Sequence, residues 1–231
     1  MAVPLIIAHR GASAEAPENT LAAFRRAVAL KADAIELDVR VTRDGIPVVF
    51  HDDNLRRLTG TRGRLSGKAW AELKRLRVLE SDEGIPRLAD VLAVTRRRIV
   101  VQIELKGGTQ LPPVLAAIKK ARAAHWVILA SFQSGLVAEA AKLAPAIPRM
   151  LISEGRRSLA SIVRQLERCE AQGLSLNHRA IRTAADVAFF QTRGFSVWCW
   201  TVNNTRVATR LIACGIDGLL GDNPALLKRL I

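Results

Sequence analysis

The stretch ELDVRVTRDGIPVVFHD, residues 36–52, decides the fold. Apolar and polar residues alternate on both sides of Asp44-Gly45, and an Asp-Gly pair between two alternating runs is a strong signal for a β-hairpin. So short a connection cannot cross over to a parallel neighbour, which needs a dozen or more residues. We therefore predict that residues 46–52 form the antiparallel return arm of the strand before them and stand outside any parallel repeat.

The hairpin also predicts which side chains lie opposite one another. With Asp44-Gly45 as a two-residue turn, counting back along both arms pairs Asp38 with His51. Cross-strand partners have Cβ atoms about 4.5–5.5 Å apart. The sequence thus predicts that backbone pairing alone holds a histidine beside a carboxylate.

Outside the hairpin, short apolar strands alternate with helical patterns along the whole chain. We predict an α/β protein whose eight strands, each followed by a helix, form a (β/α)8 TIM barrel. Residues 52–87 would be an elaborated loop after the second strand, with a short helix near residues 68–76. No linker composition divides the chain, so we expect one domain over residues 1–231. The predicted strands are LIIAHR (5–10), AIELDVR (34–40), IVVQIELK (99–106), WVILASF (126–132), PRMLIS (148–153), GLSLN (173–177), FSVWCWTVN (195–203) and DGLLGD (217–222).

Composition argues against several classes of protein. Cys169, Cys199 and Cys214 are widely spaced and form no CxxC motif, which indicates a reducing compartment and neither disulfides nor zinc. No stretch is long and apolar enough to span a bilayer. The first strand starts so close to Met1 that a signal peptide would have to include it. We therefore expect a cytoplasmic protein with no stable membrane insertion.

The formal charge of +14 raises the question of nucleic-acid binding. The basic residues are mostly scattered arginines, tyrosine is absent, and aromatic residues make up only 4% of the chain, so stacking platforms for single strands are scarce. We expect no nucleic-acid partner. Most of the charge should lie on solvated helix faces and loops, and a general attraction for anionic, phosphate-bearing small molecules is the alternative.

Carboxylates gather where the strands of such a barrel end, which is where barrel enzymes build their active sites. Glu36 and Asp38 share one face of the second strand, and Glu104 shares a face of the third with Gln102 and Lys106. Inward carboxylates cannot all stay ionised at close range without a compensating charge. A hard divalent cation resolves this, and ligands that are all oxygen favour Mg²⁺ or Ca²⁺ over Zn²⁺.

Cations and histidines stand at the same strand ends. Arg10 and Lys106 supply fixed positive charge for an anionic substrate, and His9 and His51 can exchange protons near neutral pH. His9 and Arg10 can both reach the site only if the first strand has ended there, which Gly11 permits. Taken singly, each feature is more often structural; together, on neighbouring strands and matching faces, they suit metal-assisted phosphodiester cleavage. No Walker loop and no G-x-S-x-G elbow occurs, which disfavours nucleotide hydrolysis and serine esterases.

The chain resembles the glycerophosphodiester phosphodiesterases, a family in the barrel superfamily that also contains phosphatidylinositol-specific phospholipases C. The resemblance extends over essentially the whole chain. The motifs that carry it are HRG…PENT (9–20), ELDV (36–39), DGIPVVFHD (44–52), IPRLADVL (85–92), IELK (103–106), WTVN (200–203) and GIDGLLGDNP (215–224).

The resemblance implies a hydrolase that converts glycerophosphodiesters, such as glycerophosphocholine or glycerophosphoethanolamine, to glycerol 3-phosphate and an alcohol with one divalent cation, Mg²⁺ or Ca²⁺. The family's route uses the glycerol 2-hydroxyl as first nucleophile and passes through a cyclic phosphate; direct attack by water stays open. The implied roles are acid–base catalysis for His9 and His51, metal ligation for Glu36, Asp38 and Glu104, phosphate contact for Arg10 and Lys106, and a wall of the glycerol pocket for Trp200.

The chain departs from the family pattern at Arg56, where an acidic residue is usual, at Gly221, where threonine is usual, and at Gln133, where aspartate or asparagine is more common. None of these is a proposed metal or acid–base residue. A lysophospholipase D-type activity on acylated diesters is the enzymatic alternative, but residues 52–87 lack the apolar stripe it would need. A ligand-binding protein on an inactive barrel would lack a histidine or a carboxylate, and none is missing. The alcohol, the metal and the oligomeric state stay open.

Overall fold

The parallel strands close into a barrel, as the sequence pattern predicts. The computed structural model describes residues 3–231, and the first two residues of the predicted domain lie outside this range, so a single domain over residues 1–231 stays a prediction. The strands are β1 (Leu5–Ala8), β2 (Ala34–Val41), β3 (Pro47–Val49), β4 (Val100–Leu105), β5 (Val127–Ser131), β6 (Arg149–Ser153), β7 (Gly173–Asn177), β8 (Ser196–Trp200) and β9 (Gly218–Gly221).

Hydrogen bonding joins the strands in the order β1-β9-β8-β7-β6-β5-β4-β2, and a pairing of β1 with β2 closes the ring. These eight strands are parallel, and β3 alone runs antiparallel, beside β2. The molecule is therefore a (β/α)8 barrel, which confirms the predicted fold. The side chains that fill the barrel include Ile7, Met150 and Trp198, and Trp198 is only 4% exposed, so it packs in the interior.

Helices follow the barrel strands and cover the outside of the sheet, where a second and larger apolar layer lies. Two 3₁₀ turns, Leu65–Gly67 and His178–Ala180, occur in connections. The helices are α1 (Leu21–Ala29), α2 (Arg56–Thr59), α3 (Trp70–Leu73), α4 (Leu88–Thr95), α5 (Leu111–Lys120), α6 (Ser134–Leu143), α7 (Leu159–Arg168), α8 (Ala184–Gln191), α9 (Thr205–Ala213) and α10 (Pro224–Lys228).

The β2–β3 hairpin forms as predicted, but its register differs by one residue. Val39 pairs with Val49, and the backbone N–H of Phe50 donates to the carbonyl of Asp38 at 2.9 Å, so Asp38 lies opposite Phe50. The predicted pairing of Asp38 with His51 was wrong. The cause is a turn longer by one residue: the N–H of Thr42 donates to the Ile46 carbonyl at 3.0 Å, which leaves three residues in the loop.

Gly45 makes this longer turn feasible, because its φ of +79° lies in the left-handed region that three-residue hairpins use. Asp44 gains a second function, since its carboxylate accepts a hydrogen bond from the backbone N–H of Trp70 at 3.0 Å. The turn is thereby tied to the segment 52–87. That segment buries its apolar side chains against the outer side of β3, in a cluster of Val48, Phe50, Leu55, Leu58, Leu65, Leu73, Val78 and Ile85.

No helix within residues 3–231 is long and apolar enough to cross a membrane.

Candidate active site

Three buried carboxylates meet at the carboxyl ends of β2 and β4. Asp38 pairs in register with Glu104 on the neighbouring strand, and Glu36 lies two residues before Asp38 on the same face. One oxygen from each of the three lies within 4.8 Å of the others, and the residues are 3% (Glu36), 1% (Asp38) and 8% (Glu104) exposed. So many buried acids need a compensating cation, and the arrangement suits a hard divalent ion.

The protonation of these acids reflects their crowding. Burial and the charge of Asp38 raise the pKa of Glu36 to about 8. Burial alone would also raise the pKa of Asp38, yet the charges of Lys106 and Arg10 hold that pKa well below its usual range. Burial and the charge of Asp38 raise the pKa of Glu104. A bound divalent cation would favour the ionised form of all three carboxylates.

Lys106 and Arg10 lie against the same carboxylates. The Nζ of Lys106 is 2.9 Å from Oδ1 of Asp38 and 2.5 Å from Oε1 of Glu104. The Nε of Arg10 is 3.3 Å from Oδ2 of Asp38, and the Arg10 backbone N–H donates to Oε2 of Glu36 at 3.0 Å. A phosphoryl group bound beside the carboxylates would therefore lie within reach of both cations.

The chain turns sharply after β1, which brings His9 and Arg10 into the cavity together. The strand ends at Ala8, and Arg10 and Gly11 have φ values of +56° and +82°. A Cβ on Gly11 would lie 2.7 Å from the carbonyl carbon of Ala23 in α1, so only glycine fits there. The strand is thus two residues shorter than the predicted strand 5–10, and the condition under which both side chains reach the site is met.

A carboxylate that directly follows β9 orients His9. The Nδ1 of His9 lies 2.7 Å from Oδ1 of Asp222, which leaves Nε2 for a substrate. Asn203 holds Asp222 in turn, because its Oδ1 accepts the Asp222 backbone N–H at 2.9 Å and its Nδ2 donates to the carboxylate. Burial would lower the pKa of His9, but the hydrogen bond to Asp222 and the charge of Glu36 raise it above the usual range. Asp222 is the last residue of the predicted strand DGLLGD (217–222), and the sequence predicted no role for it.

His51 follows β3 and has a carboxylate partner of its own. Its Nδ1 lies 2.5 Å from Oδ1 of Asp52. Arg57 in α2 binds the other oxygen of Asp52 through its Nε at 2.6 Å and makes two further hydrogen bonds, of 2.9 and 3.0 Å, to Glu18. Burial and the nearby charges of Lys106 and Arg10 lower the pKa of His51, although Asp38 and Asp52 oppose them.

Glu18 also receives a hydrogen bond of 2.9 Å from Arg10. A chain of alternating charges therefore connects the two histidine-bearing loops, from Arg10 through Glu18 and Arg57 to Asp52. Sequence reasoning missed Glu18 and Arg57, because they are 39 positions apart and no local pattern joins them. The PENT motif, which contains Glu18, was the only signal.

One cavity of about 220 Å³ collects the candidate residues at the mouth of the barrel. It is lined by seven of the eight predicted site residues, and Asp38 lies buried behind them. A larger cleft of about 660 Å³ lies on the outside of the barrel between α4 and α5, but no histidine or carboxylate lines it. The predicted residues in the smaller cavity are His9, Arg10, Glu36, His51, Glu104, Lys106 and Trp200.

The far wall of the cavity is aromatic and contains residues that the sequence did not single out. Trp200 donates its Nε1–H to the carbonyl of Ser175 at 3.0 Å, and its ring meets Phe132 edge to face with centroids 5.5 Å apart. Gln102 and Glu154 line the same cavity. The prediction of an apolar wall at Trp200 therefore has a physical basis, and Phe132 extends that wall to the mouth.

Comparison with known proteins agrees with this arrangement. Residues 9–226 match the model of the glycerophosphoryl diester phosphodiesterase family. The chain is 34% identical over 239 residues to the glycerophosphodiester phosphodiesterase of Caldanaerobacter subterraneus, covering 98% of this chain and 97% of that protein. It is similar to an Oleispira antarctica phosphodiesterase solved in complex with the product sn-glycerol-3-phosphate, with a TM-score of 0.89, 29% identity, and coverage of 99% and 96%.

A glycerophosphodiester phosphodiesterase from Thermotoga maritima superposes with a TM-score of 0.85 at 26% identity and full coverage of both chains, 100% each. The matched range of residues 9–226 contains the carboxylates, histidines and cations that the structure brings together at the cavity. The chain therefore belongs to the glycerophosphoryl diester phosphodiesterase family, a family of hydrolases.

Proposed function

We propose that the protein hydrolyses glycerophosphodiesters, such as glycerophosphocholine or glycerophosphoethanolamine, to glycerol 3-phosphate and an alcohol, with one Mg²⁺ or Ca²⁺ ion. The observation that carries the proposal is the convergence in one cavity of the acidic cluster, two cations and two histidines, each histidine held by its own carboxylate. The three oxygen donors Glu36, Asp38 and Glu104 fit a hard divalent cation, which would polarise a phosphoryl oxygen and offset its developing charge.

The cations Arg10 and Lys106 would bind the remaining phosphoryl oxygens. Arginine can form two parallel hydrogen bonds to a phosphate, and lysine acts as a point charge. Both now make ion pairs with Asp38, so both are already positioned beside the cluster. Trp200 would cover the carbon face of the glycerol arm, because its ring lines the same cavity as these cations.

The opposite pKa shifts of the two histidines suggest different first roles. His51, whose pKa is lowered, would be neutral and would take the proton from the attacking hydroxyl. His9, whose pKa is raised, would carry a proton and give it to the alcohol oxygen as the phosphorus–oxygen bond breaks. In the family's route the nucleophile is the glycerol 2-hydroxyl, and its attack forms a cyclic phosphate. Water then opens this ring: His9 takes the proton from the water, and His51 returns a proton to the 2-hydroxyl oxygen. Direct attack by water would use the same first assignment.

We also propose a cytoplasmic location and no nucleic-acid partner. The three cysteines support the location, because all are free thiols, which suits a reducing compartment.

One assay tests the proposed activity and its rivals. The purified protein is incubated with glycerophosphocholine, glycerophosphoethanolamine, a lysophospholipid or single-stranded DNA, each with Mg²⁺, Ca²⁺ or EDTA. We expect metal-dependent release of glycerol 3-phosphate from the first two substrates. Preferred turnover of the lysophospholipid would support the lysophospholipase D-type alternative, and turnover that survives complete metal removal would overturn the assignment of the metal.

A variant tests the acid–base assignment separately. We expect His51→Ala to abolish turnover while thermal unfolding stays cooperative, because His51 is partly exposed and its ring supports little packing. Full activity in His51→Ala would contradict its role. Phosphorus NMR during turnover distinguishes the two routes, since only attack by the 2-hydroxyl forms a cyclic phosphate.

A further inference from the structure

The mouth of the cavity exposes a large aromatic side chain. Phe132 follows β5 and is 42% exposed, although its ring contacts Trp200 in the cavity wall. Solvation of so large an apolar ring is unfavourable, and an exposed aromatic beside a cavity often marks a binding surface. Packing of the barrel does not require Phe132, because the side chain lies outside the buried apolar clusters. A ligand that covers this ring would gain binding free energy.

Glu154, at the end of β6, lines the same cavity and has no cationic partner. Its Oε2 accepts a hydrogen bond from Nδ2 of Asn177 at 3.0 Å, which fixes the carboxylate. Among the ion pairs of residues 3–231, none involves Glu154. The chain has 35 lysines and arginines for 21 acidic residues, so an acid left without a cation at a cavity mouth is unusual here.

The direction of the reaction indicates which part of the substrate lies there. The phosphate must lie beside the acidic cluster and its cations, and glycerol stays attached to it in the product. Phe132 and Glu154 line the exposed end of the cavity, and that end would receive the alcohol arm if glycerol occupied the buried end. The inner end of the cavity suits glycerol instead, because the amide oxygen of the fully buried Gln102 has no hydrogen-bond partner and can accept one from a hydroxyl.

We propose that Phe132 and Glu154 form a subsite for a positively charged alcohol, so that diesters of choline or ethanolamine are preferred over diesters of neutral alcohols. This inference rests on the proposed function. An ammonium group is attracted to the face of an aromatic ring and to a carboxylate that no other cation neutralises. A neutral polyol would gain neither interaction.

Steady-state kinetics on two substrates test the subsite. The ratio of kcat/KM for glycerophosphocholine to kcat/KM for glycerophosphoglycerol, whose second alcohol is neutral, is measured for the wild type, Glu154→Gln and Phe132→Leu. We expect each substitution to lower this ratio about tenfold, as loss of a cation–π or charge contact of ordinary strength would. The fall should come from glycerophosphocholine alone. Both side chains are exposed, so thermal unfolding should be little changed.

Glu139→Gln is the matched control. Glu139 is an exposed residue of α6 outside the cavity, and its substitution changes the net charge by the same amount. We expect the control to leave the ratio unchanged. If Glu154→Gln left the ratio unchanged, or lowered kcat/KM equally for both substrates, the subsite would be overturned. The proposed function would still be supported by turnover of glycerophosphoglycerol. If the wild type turned over neither substrate, the proposed function itself would be overturned instead.

Discussion

The Nδ1 of His9 lies 2.7 Å from the carboxylate of Asp222, although 213 positions separate the two residues in the chain. The pairing of β1 with β9, in which Ala8 lies beside Gly221, places the two loops next to each other. The contact fixes the ring of His9 and, with Glu36, raises its pKa against the effect of burial. The contact with Asp222 therefore sets the orientation of the His9 ring and favours the protonated form of this proposed acid.

We expect a bell-shaped dependence of kcat/KM on pH. Turnover requires His51 to be neutral, so activity should rise as the pH increases through the lowered pKa of His51, below its ordinary value of 6.5. Turnover also requires His9 to be protonated, so activity should fall as the pH increases through the raised pKa of His9, above 6.5. Initial rates at fixed metal concentration between pH 5 and about 9 measure both limbs. A plateau that continues into the alkaline range would contradict the role of His9 as acid.

Asp222→Asn should affect the alkaline limb selectively. The amide preserves the shape of the side chain but removes the charge, so the pKa of His9 should fall and the alkaline limb should move to lower pH. We expect kcat/KM at its optimum to decrease by about 100-fold, the order found when a residue that orients a catalytic group is changed. The acid limb, which belongs to His51, should stay in place. Equal movement of both limbs would contradict the assignment.

Metal binding should release protons. The pKa of Glu36 is about 8 without the ion, so at pH 7 this carboxyl is mostly protonated, and it must ionise to bind a divalent cation. We expect release of about one proton per Mg²⁺ at pH 7 and much less at pH 9, measured by calorimetry in buffers of different ionisation enthalpy. Glu36→Gln should bind Mg²⁺ more weakly and release less. Binding enthalpies that do not depend on the buffer at pH 7 would contradict the acidic cluster as the site.

Arg57→Ala should impair catalysis although Arg57 touches no reacting atom. Its guanidinium joins Asp52, which holds His51, to Glu18, which holds Arg10. We expect kcat to fall about tenfold, as is usual when a partner of an active-site residue is lost. Since Arg57 is half exposed, the free energy of unfolding should change little.

Arg56→Ala is the control for this experiment, because the neighbouring Arg56 is exposed and makes no ion pair in the part of the chain that the structure describes. It should keep full activity. An equal loss of kcat in both variants would show that positive charge near the cavity, and not the bridge between Asp52 and Glu18, matters.

Gly11→Ala should destabilise the protein more than Gly45→Ala. Both glycines have left-handed φ values, +82° and +79°, but a Cβ on Gly45 meets nothing within 4 Å, whereas one on Gly11 lies 2.7 Å from Ala23. We expect Gly45→Ala to lower the free energy of unfolding by about 1 kcal/mol. The added clash at Gly11 should bring the loss to about 3 kcal/mol. Urea unfolding measures both, and equal losses would contradict the close approach of the β1–α1 loop to α1.

Periodicity identified every barrel strand and the antiparallel arm, because alternation and the Asp44-Gly45 signal are local properties of the sequence. The same local reasoning failed at the hairpin register. Side-chain hydrogen bonds within the turn favour three loop residues, because the Thr42 hydroxyl donates to the Asp44 carboxylate and accepts from the backbone N–H of Ile46. Asp44 also accepts from the backbone N–H of Trp70, a contact with a distant segment that no local pattern shows. A slip of one residue exchanges the faces of a strand. The proximity of His51 to the acidic cluster therefore has a different cause from the predicted one: the loop that follows β3.

The candidate site, like the hairpin, could be predicted from the sequence only in part. The two-residue period of a strand predicts which side chains share a face, such as those of Glu36 and Asp38. The order of the strands then predicts which residues lie beside them on the next strand. The partners of the histidines do not follow from either. Asp222 reaches His9 only because the barrel closes, and Arg57 reaches Glu18 only because residues 52–87 fold so that α2 lies beside the loop after β1. Contacts between the first and last strands of a barrel, or between two loops, leave no periodic pattern in the sequence.

The pairing of β1 with β9 has a consequence for how the candidate site is assembled. The strands that hold the acidic cluster, β2 and β4, are neighbours in the sheet, so their pairing does not depend on the contact between β1 and β9. His9 obtains Asp222 only when the last strand docks against the first. The proposed metal ligands and the proposed acid therefore depend on different parts of the ring, and only the acid requires the pairing of the first strand with the last.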